Sequence, residues 1–139
     1  MRTANLRPGA NPVGNRHLTV FWLVSTLTIA AAIAVLTLRP TVPLPYAQIG
    51  ADKIAHMLAF TILVLPTAAL WPRVSAFVGL LAVAYGGAIE LIQPFTGRHA
   101  EAADLVADGV GVALGIIIGS TIRRHRAARR TVRARLRAR

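Results

Sequence analysis

The chain has 139 residues, 55% of them hydrophobic and only 15% charged; a soluble domain of this size could not bury so much apolar surface, so lipid is the expected solvent for most of it. Sixteen Lys+Arg against five Asp+Glu give a formal net charge of +11, yet the charges are segregated, with nine of the basic residues in 123–139 and all five acids between Asp52 and Asp108. The absence of Cys excludes disulfides, thiolate metal sites and cysteine nucleophiles.

Residues 1–17 form a basic N-terminal tail carrying Arg2, Arg7 and Arg16. Residues 18–38 follow as 21 residues without a charge, closed by Arg39-Pro40, long enough as a helix to cross a bilayer core of about 30 Å. A cleaved signal peptide is the rival reading, with Ala30-Ala31-Ala32 as small residues for cleavage, but the apolar run exceeds the usual 7–15 residues. Residues 39–51, with three prolines and a glycine, predict an extended or turning loop.

Three further apolar segments are predicted to be membrane helices: about 54–71, with His56 near its start and Pro66 inside; about 74–92, with Glu90 near its end; and about 104–122, with Asp104 and Asp108 at its start. The joints are short, and Pro72-Arg73 is hardly more than a turn. The expected fold is all-α, a four-helix antiparallel transmembrane bundle over residues 18–122, followed by an Arg-rich tail at 123–139. Lys/Arg bias sets the orientation. Thirteen basic residues fall on the side of the two tails and the 72–73 turn, against Arg39, Lys53 and Arg98 on the other. Both termini are therefore expected in the cytoplasm, with the loops at 39–53 and 93–103 outside.

On that topology every acid lies at one membrane face. Asp52, Lys53 and His56 sit at the mouth of the second helix, Glu90 and Gln93 at the end of the third, Arg98 and Glu101 in the last loop, and Asp104 and Asp108 at the start of the fourth. Asp52 with His56, and Asp104 with Asp108, are spaced i,i+4 and share a helix side; Glu90 and Gln93 are i,i+3. Asp108 lies about 6 Å deeper than Asp104. Carboxylates at that depth are expected to face the bundle interior and pair with Lys53, Arg98 or His56. Gly111, Gly115 and Gly119 recur every four residues, a period that lets another helix backbone approach closely; Gly86 and Gly87 offer the same to the third helix.

Asp52-Lys53-x-x-His56-x-x-x-Phe60, then Tyr85-Gly86, Ile89-Glu90-x-x-Gln93-x-Phe95, Gly97-Arg98, Asp104 and Asp108-x-x-Gly111-x-x-x-Gly115, in this order, resemble the VanZ-like family of small bacterial membrane proteins. The resemblance spans roughly residues 18–122. Glu101 stands where the family usually has Asp, keeping the charge, and Asp108 where Asn is common, adding one. The resemblance implies a multi-pass protein of the bacterial cytoplasmic membrane; the family is named for a protein linked to low-level resistance to teicoplanin, a glycopeptide that targets wall precursors.

Two classes of function fit these residues. One is a non-enzymatic envelope module whose outer polar pocket binds a lipid headgroup, a wall precursor or a cation, with an effect on envelope properties or glycopeptide susceptibility. The other is a membrane-embedded enzyme acting on a lipid-linked substrate, with His56 as acid or base and Arg98 holding a phosphate. No G-x-S-x-G, H-E-x-x-H or P-loop supports the second. A polar clamp that only holds three helices together is a third reading of the same residues. The sequence carries no metal-binding motif, and neither metal nor cofactor is expected. The Arg-rich tail directly follows a membrane helix, so anionic lipid, not nucleic acid, is its expected partner. Homo-oligomerisation would suit so small a bundle, although no motif specifies it.

Overall fold

The computed structural model describes residues 16–39 and 50–138. The proline-rich stretch expected at 40–49 and the tail residues Arg2 and Arg7 lie outside the described residues. Four long helices form: α1 (Arg16–Thr37), α2 (Ala51–Leu70), α3 (Ser75–Ile92) and α4 (Ala102–Arg137), with a 3-10 turn at Gln93–Thr96 after α3. No strand occurs among the described residues. All four helices are long and apolar enough to cross a membrane.

The boundaries differ from the sequence reading in ways that have physical reasons. α2 starts at Ala51, so Asp52 and Lys53 belong to its first turn and do not precede it; Gly50, at φ +95°, turns the chain into it. An acid in that first turn suits the positive end of the helix dipole. Gly97, at φ +77°, closes the 3-10 turn. α4 does not stop near Ile122: it runs 36 residues, about 54 Å, through the Arg-rich segment. Arg, Ala and Leu are all good helix formers, and basic residues near a C-terminus meet the negative end of the dipole.

Consecutive helices run antiparallel, but the closest pair is α2 with α4, which run parallel. Their contact is a glycine ladder. A Cβ on Gly111 would collide with the Met57 carbonyl, one on Gly115 would lie 2.7 Å from the Thr61 carbonyl oxygen, and one on Gly119 2.6 Å from that of Leu65. Both sides advance four residues per step, so the two backbones stay in register over two turns. The Thr61 hydroxyl lies 2.7 Å from the Met57 carbonyl and 3.0 Å from the Gly111 carbonyl, reaching across the seam. Without a hydrophobic force between helices in lipid, such close backbone approach is how membrane helices gain contact energy.

α3 packs antiparallel against this pair, with Gly79 over Val112 and Ile116. The core comprises Ile33, Phe60, Leu63, Val64, Ala82, Ile89 and Val112. α1 contributes only Ile33 as a buried residue, and is fastened at both ends and the middle. Trp22 donates to the Thr67 hydroxyl at 2.9 Å and its ring lies 5.0 Å from that of Trp71; Tyr85 donates to the Ala30 carbonyl at 2.6 Å; Gln93 reaches the Thr37 carbonyl. The C-terminal end of α1, the start of α2, the end of α3 and the start of α4 therefore share one end of the bundle.

Candidate functional site

That shared end gathers the acids. Asp108 is fully buried, and His56 Nδ1 and Asp108 Oδ1 are 2.9 Å apart. The other carboxylate oxygen, Oδ2, rests over Gly86, where any Cβ would displace it, and has no hydrogen-bond partner among the described residues. Gly86 thus makes room for a side chain, and not for a helix backbone as expected. Gly87 does neither: a Cβ there would meet only Leu105 Cδ1, at an ordinary 3.9 Å.

Glu90, also buried, accepts a hydrogen bond from the backbone N–H of Glu101 at 2.8 Å. The first N–H groups of a helix lack partners within it. Here the end of α3 supplies one to the residue that opens α4, and places a carboxylate where the α4 dipole favours it. Gln93 is fully buried beside it. Its amide nitrogen donates to the Thr37 carbonyl at 3.3 Å in one orientation, or to the two Glu90 oxygens at 3.0 and 3.2 Å in the other. The first orientation ties α1 to the site, and the second ties Gln93 to Glu90 within it.

Nearer the rim, Lys53 Nζ lies 3.3 Å from Asp52, 2.7 Å from Glu101 and 3.1 Å from Asp104. Asp52 and Glu101 are well exposed, whereas the Asp104 side chain is only 4% exposed, so Asp104 is the partner for which Lys53 matters most. Arg98, expected to pair with these acids, forms no ion pair among the described residues; its backbone N–H bonds the Gln93 carbonyl at 3.1 Å. Thr37, Tyr85 and Thr61 support the site or its walls and were not singled out for such roles by the sequence; Tyr85 entered only through the family motif, and nothing in its spacing marked its bond to α1.

An apolar cavity of about 110 Å³ opens between α1 and α2, lined by Ile33, Leu36, Thr37, Ala55, Ala59 and Phe60, with His56 in its wall. His56 therefore belongs both to the carboxylate cluster, through Nδ1, and to the wall of a hydrocarbon-lined space.

A family model described as VanZ/LLP1 matches residues 5–123. The chain belongs to the VanZ/LLP1 family. Neither a curated protein nor a solved structure matches it. Membership in the VanZ/LLP1 family and four apolar helices together make this a multi-pass membrane protein.

Proposed function

We propose that this VanZ-family protein is a non-enzymatic module of the bacterial cytoplasmic membrane that receives the polar head of a lipid or lipid-linked wall precursor at its polar end. The observation that carries the reading is the position of His56, shared between the buried carboxylates and the apolar cavity. An amphiphile needs that pairing of surfaces: a few carbons of chain fill the dry cavity while polar atoms reach His56, Glu90 and Asp104. Sites of this kind are mostly apolar with a few placed polar groups. Through such binding the protein would alter envelope properties, glycopeptide susceptibility among them.

Both termini face the cytoplasm in this reading, so the polar end opens on the outer face. The helical extension at 123–137, exposed throughout, then associates with anionic lipid of the inner leaflet.

The test is lipid retention. Protein extracted gently and analysed by native mass spectrometry should carry a bound lipid, and Ala59→Phe, which fills the cavity without touching the carboxylates, should remove it. Single Ala substitutions of Glu90 and Asp104 should leave membrane abundance adequate while removing the envelope phenotype. Equal lipid retention in Ala59→Phe overturns the reading, and uniform loss of folded protein in the Ala variants makes the polar residues a clamp. Turnover of a lipid-linked substrate by the purified protein would replace the module with an enzyme.

A further inference from the structure

Two groups of cation-ligating side chains share Asp104. In the first, Asp52, Glu101 and Asp104 offer oxygens within 4.8 Å of one another. Lys53 Nζ already sits among them at 2.7 to 3.3 Å: that group holds its cation, and the cation is an ammonium. The second is His56, Glu90 and Asp104, all buried, with one ligand atom from each likewise within 4.8 Å of the others. No Lys or Arg pairs with Glu90 among the described residues; its partners are the Glu101 N–H and, in one of its two orientations, the Gln93 amide.

The charge count in the interior is uneven. Glu90, Asp104 and Asp108 are buried, and Lys53 is the basic side chain that reaches any of them apart from the imidazole. Independently, two buried carboxylate oxygens have no hydrogen-bond partner among the described residues: Asp108 Oδ2, which fills the space over Gly86, and Asp104 Oδ1 of the ligand set itself, whose contact with Lys53 is an ion pair only. Uncompensated buried carboxylates are costly, and a bound cation removes that cost.

We propose that His56, Glu90 and Asp104 form a binding site for a divalent first-row cation, Zn²⁺ or Mn²⁺, with Asp108 as a positioning residue. The donor chemistry selects these ions. An imidazole with two carboxylates suits Zn²⁺ and Mn²⁺, whereas Ca²⁺ and Mg²⁺ demand six or more oxygens. Two bonds of about 2.0–2.2 Å span at most about 4.4 Å, so ligand atoms that lie within 4.8 Å of one another close by at least a few tenths of an ångström wherever they stand at that limit when the ion binds. His56 Nδ1 is held by Asp108 at 2.9 Å, which leaves Nε2 to ligate; a metal-bound histidine regularly donates its other N–H to a carboxylate. Three protein ligands leave at least one coordination position open. The cation site goes beyond the headgroup reading and does not depend on it.

The full-length protein in detergent, stripped with a chelator and dialysed, is titrated with Zn²⁺ and with Mn²⁺ alone, without added lipid. Wild type should bind one ion per chain and melt at a higher temperature when loaded. Glu90→Gln and Asp104→Asn should each weaken binding at least about 100-fold, and Asp108→Asn about 10- to 100-fold, as outer-shell partners of metal-bound histidines do. Asp52→Asn and Glu101→Gln should change it less than about 3-fold, because they belong to the ammonium's group; a metal held there would show the reverse pattern. Bound Co²⁺ should give a spectrum altered in His56→Gln, a readout that loss of stability alone does not produce. Failure of the folded wild type to bind either ion, or binding indifferent to Glu90→Gln, overturns the site. Lipid retention by the chelated protein is measured separately, so failure of one reading leaves the other standing.

Discussion

Asp108 and His56, 52 residues apart in sequence, meet at 2.9 Å in the closed interface of α2 and α4, one carboxylate oxygen on the imidazole and the other over Gly86. A buried pair of this kind is costly to halve. Asp108→Leu should destabilise the protein by about 3–5 kcal/mol, since it leaves an unpartnered imidazole inside. The double variant His56→Leu/Asp108→Leu should lose less than the sum of the two singles, with a coupling of about 0.5–3 kcal/mol. Unfolding of all four proteins in one detergent completes the cycle; strict additivity would mean that the contact carries no energy.

The glycine ladder makes a sharper contrast. Gly115→Ala forces α2 and α4 apart against the Thr61 carbonyl and should cost about 1–3 kcal/mol. Gly109 lies on the same helix with nothing within 4 Å of its Cβ position, so Gly109→Ala should be neutral or gain up to about 1 kcal/mol from helix propensity. Thermal melting of the pair separates backbone contact from propensity.

Lys53 touches three acids unequally. Asp52→Asn and Glu101→Gln remove exposed partners and should each cost no more than about 1 kcal/mol. Lys53→Met leaves the buried Asp104 without its cation and should lower the melting temperature more than either, although contact of Lys53 with solvent limits the loss. Equal effects in the three variants would show that burial of Asp104 does not set the energetics.

Arg98 makes no ion pair among the described residues. Arg98→Ala should leave stability within about 0.5 kcal/mol of wild type. A large loss of lipid retention at unchanged stability would give the guanidinium a role in ligand contact.

Orientation is open to direct measurement because the chain has no Cys. Single cysteines near Arg2 and Arg137 should resist a membrane-impermeant thiol reagent in intact cells, and one at the exposed His99 should react. Removing residues 126–139 should reduce correctly oriented protein without abolishing the function of the polar end.

Much of this was readable in the sequence because each span is an apolar run of bilayer length and because the acids are confined to its ends. The up-and-down order of four such runs brings Asp52, His56, Glu90, Asp104 and Asp108 to one end by topology alone. Hydropathy gives direction but not neighbours, so it could not reveal that α2 pairs in parallel with α4; the four-residue glycine period indicated a close partner without naming it. Gly86 and Gly87 are equivalent in composition, and only packing separates the one that shelters Asp108 from the one that touches Leu105 loosely. The Arg-rich segment was readable as a helix from its Ala, Arg and Leu content, a signal that its charge obscured. That Glu90 would cap α4, and that Arg98 would form no ion pair with the acids, depends on how the chain turns at Gly97, which no pattern specifies.

α4 carries Asp104 near one end and its first arginine of the basic run, Arg123, nineteen residues later, about 28 Å along the axis. That span equals the hydrocarbon thickness of an ordinary bilayer. The helix is thus a ruler of bilayer length, and because its Asp104 mark also belongs to the polar cluster, thinning or thickening the surrounding lipid should either tilt the ruler or shift Asp104 relative to Lys53 and Glu90.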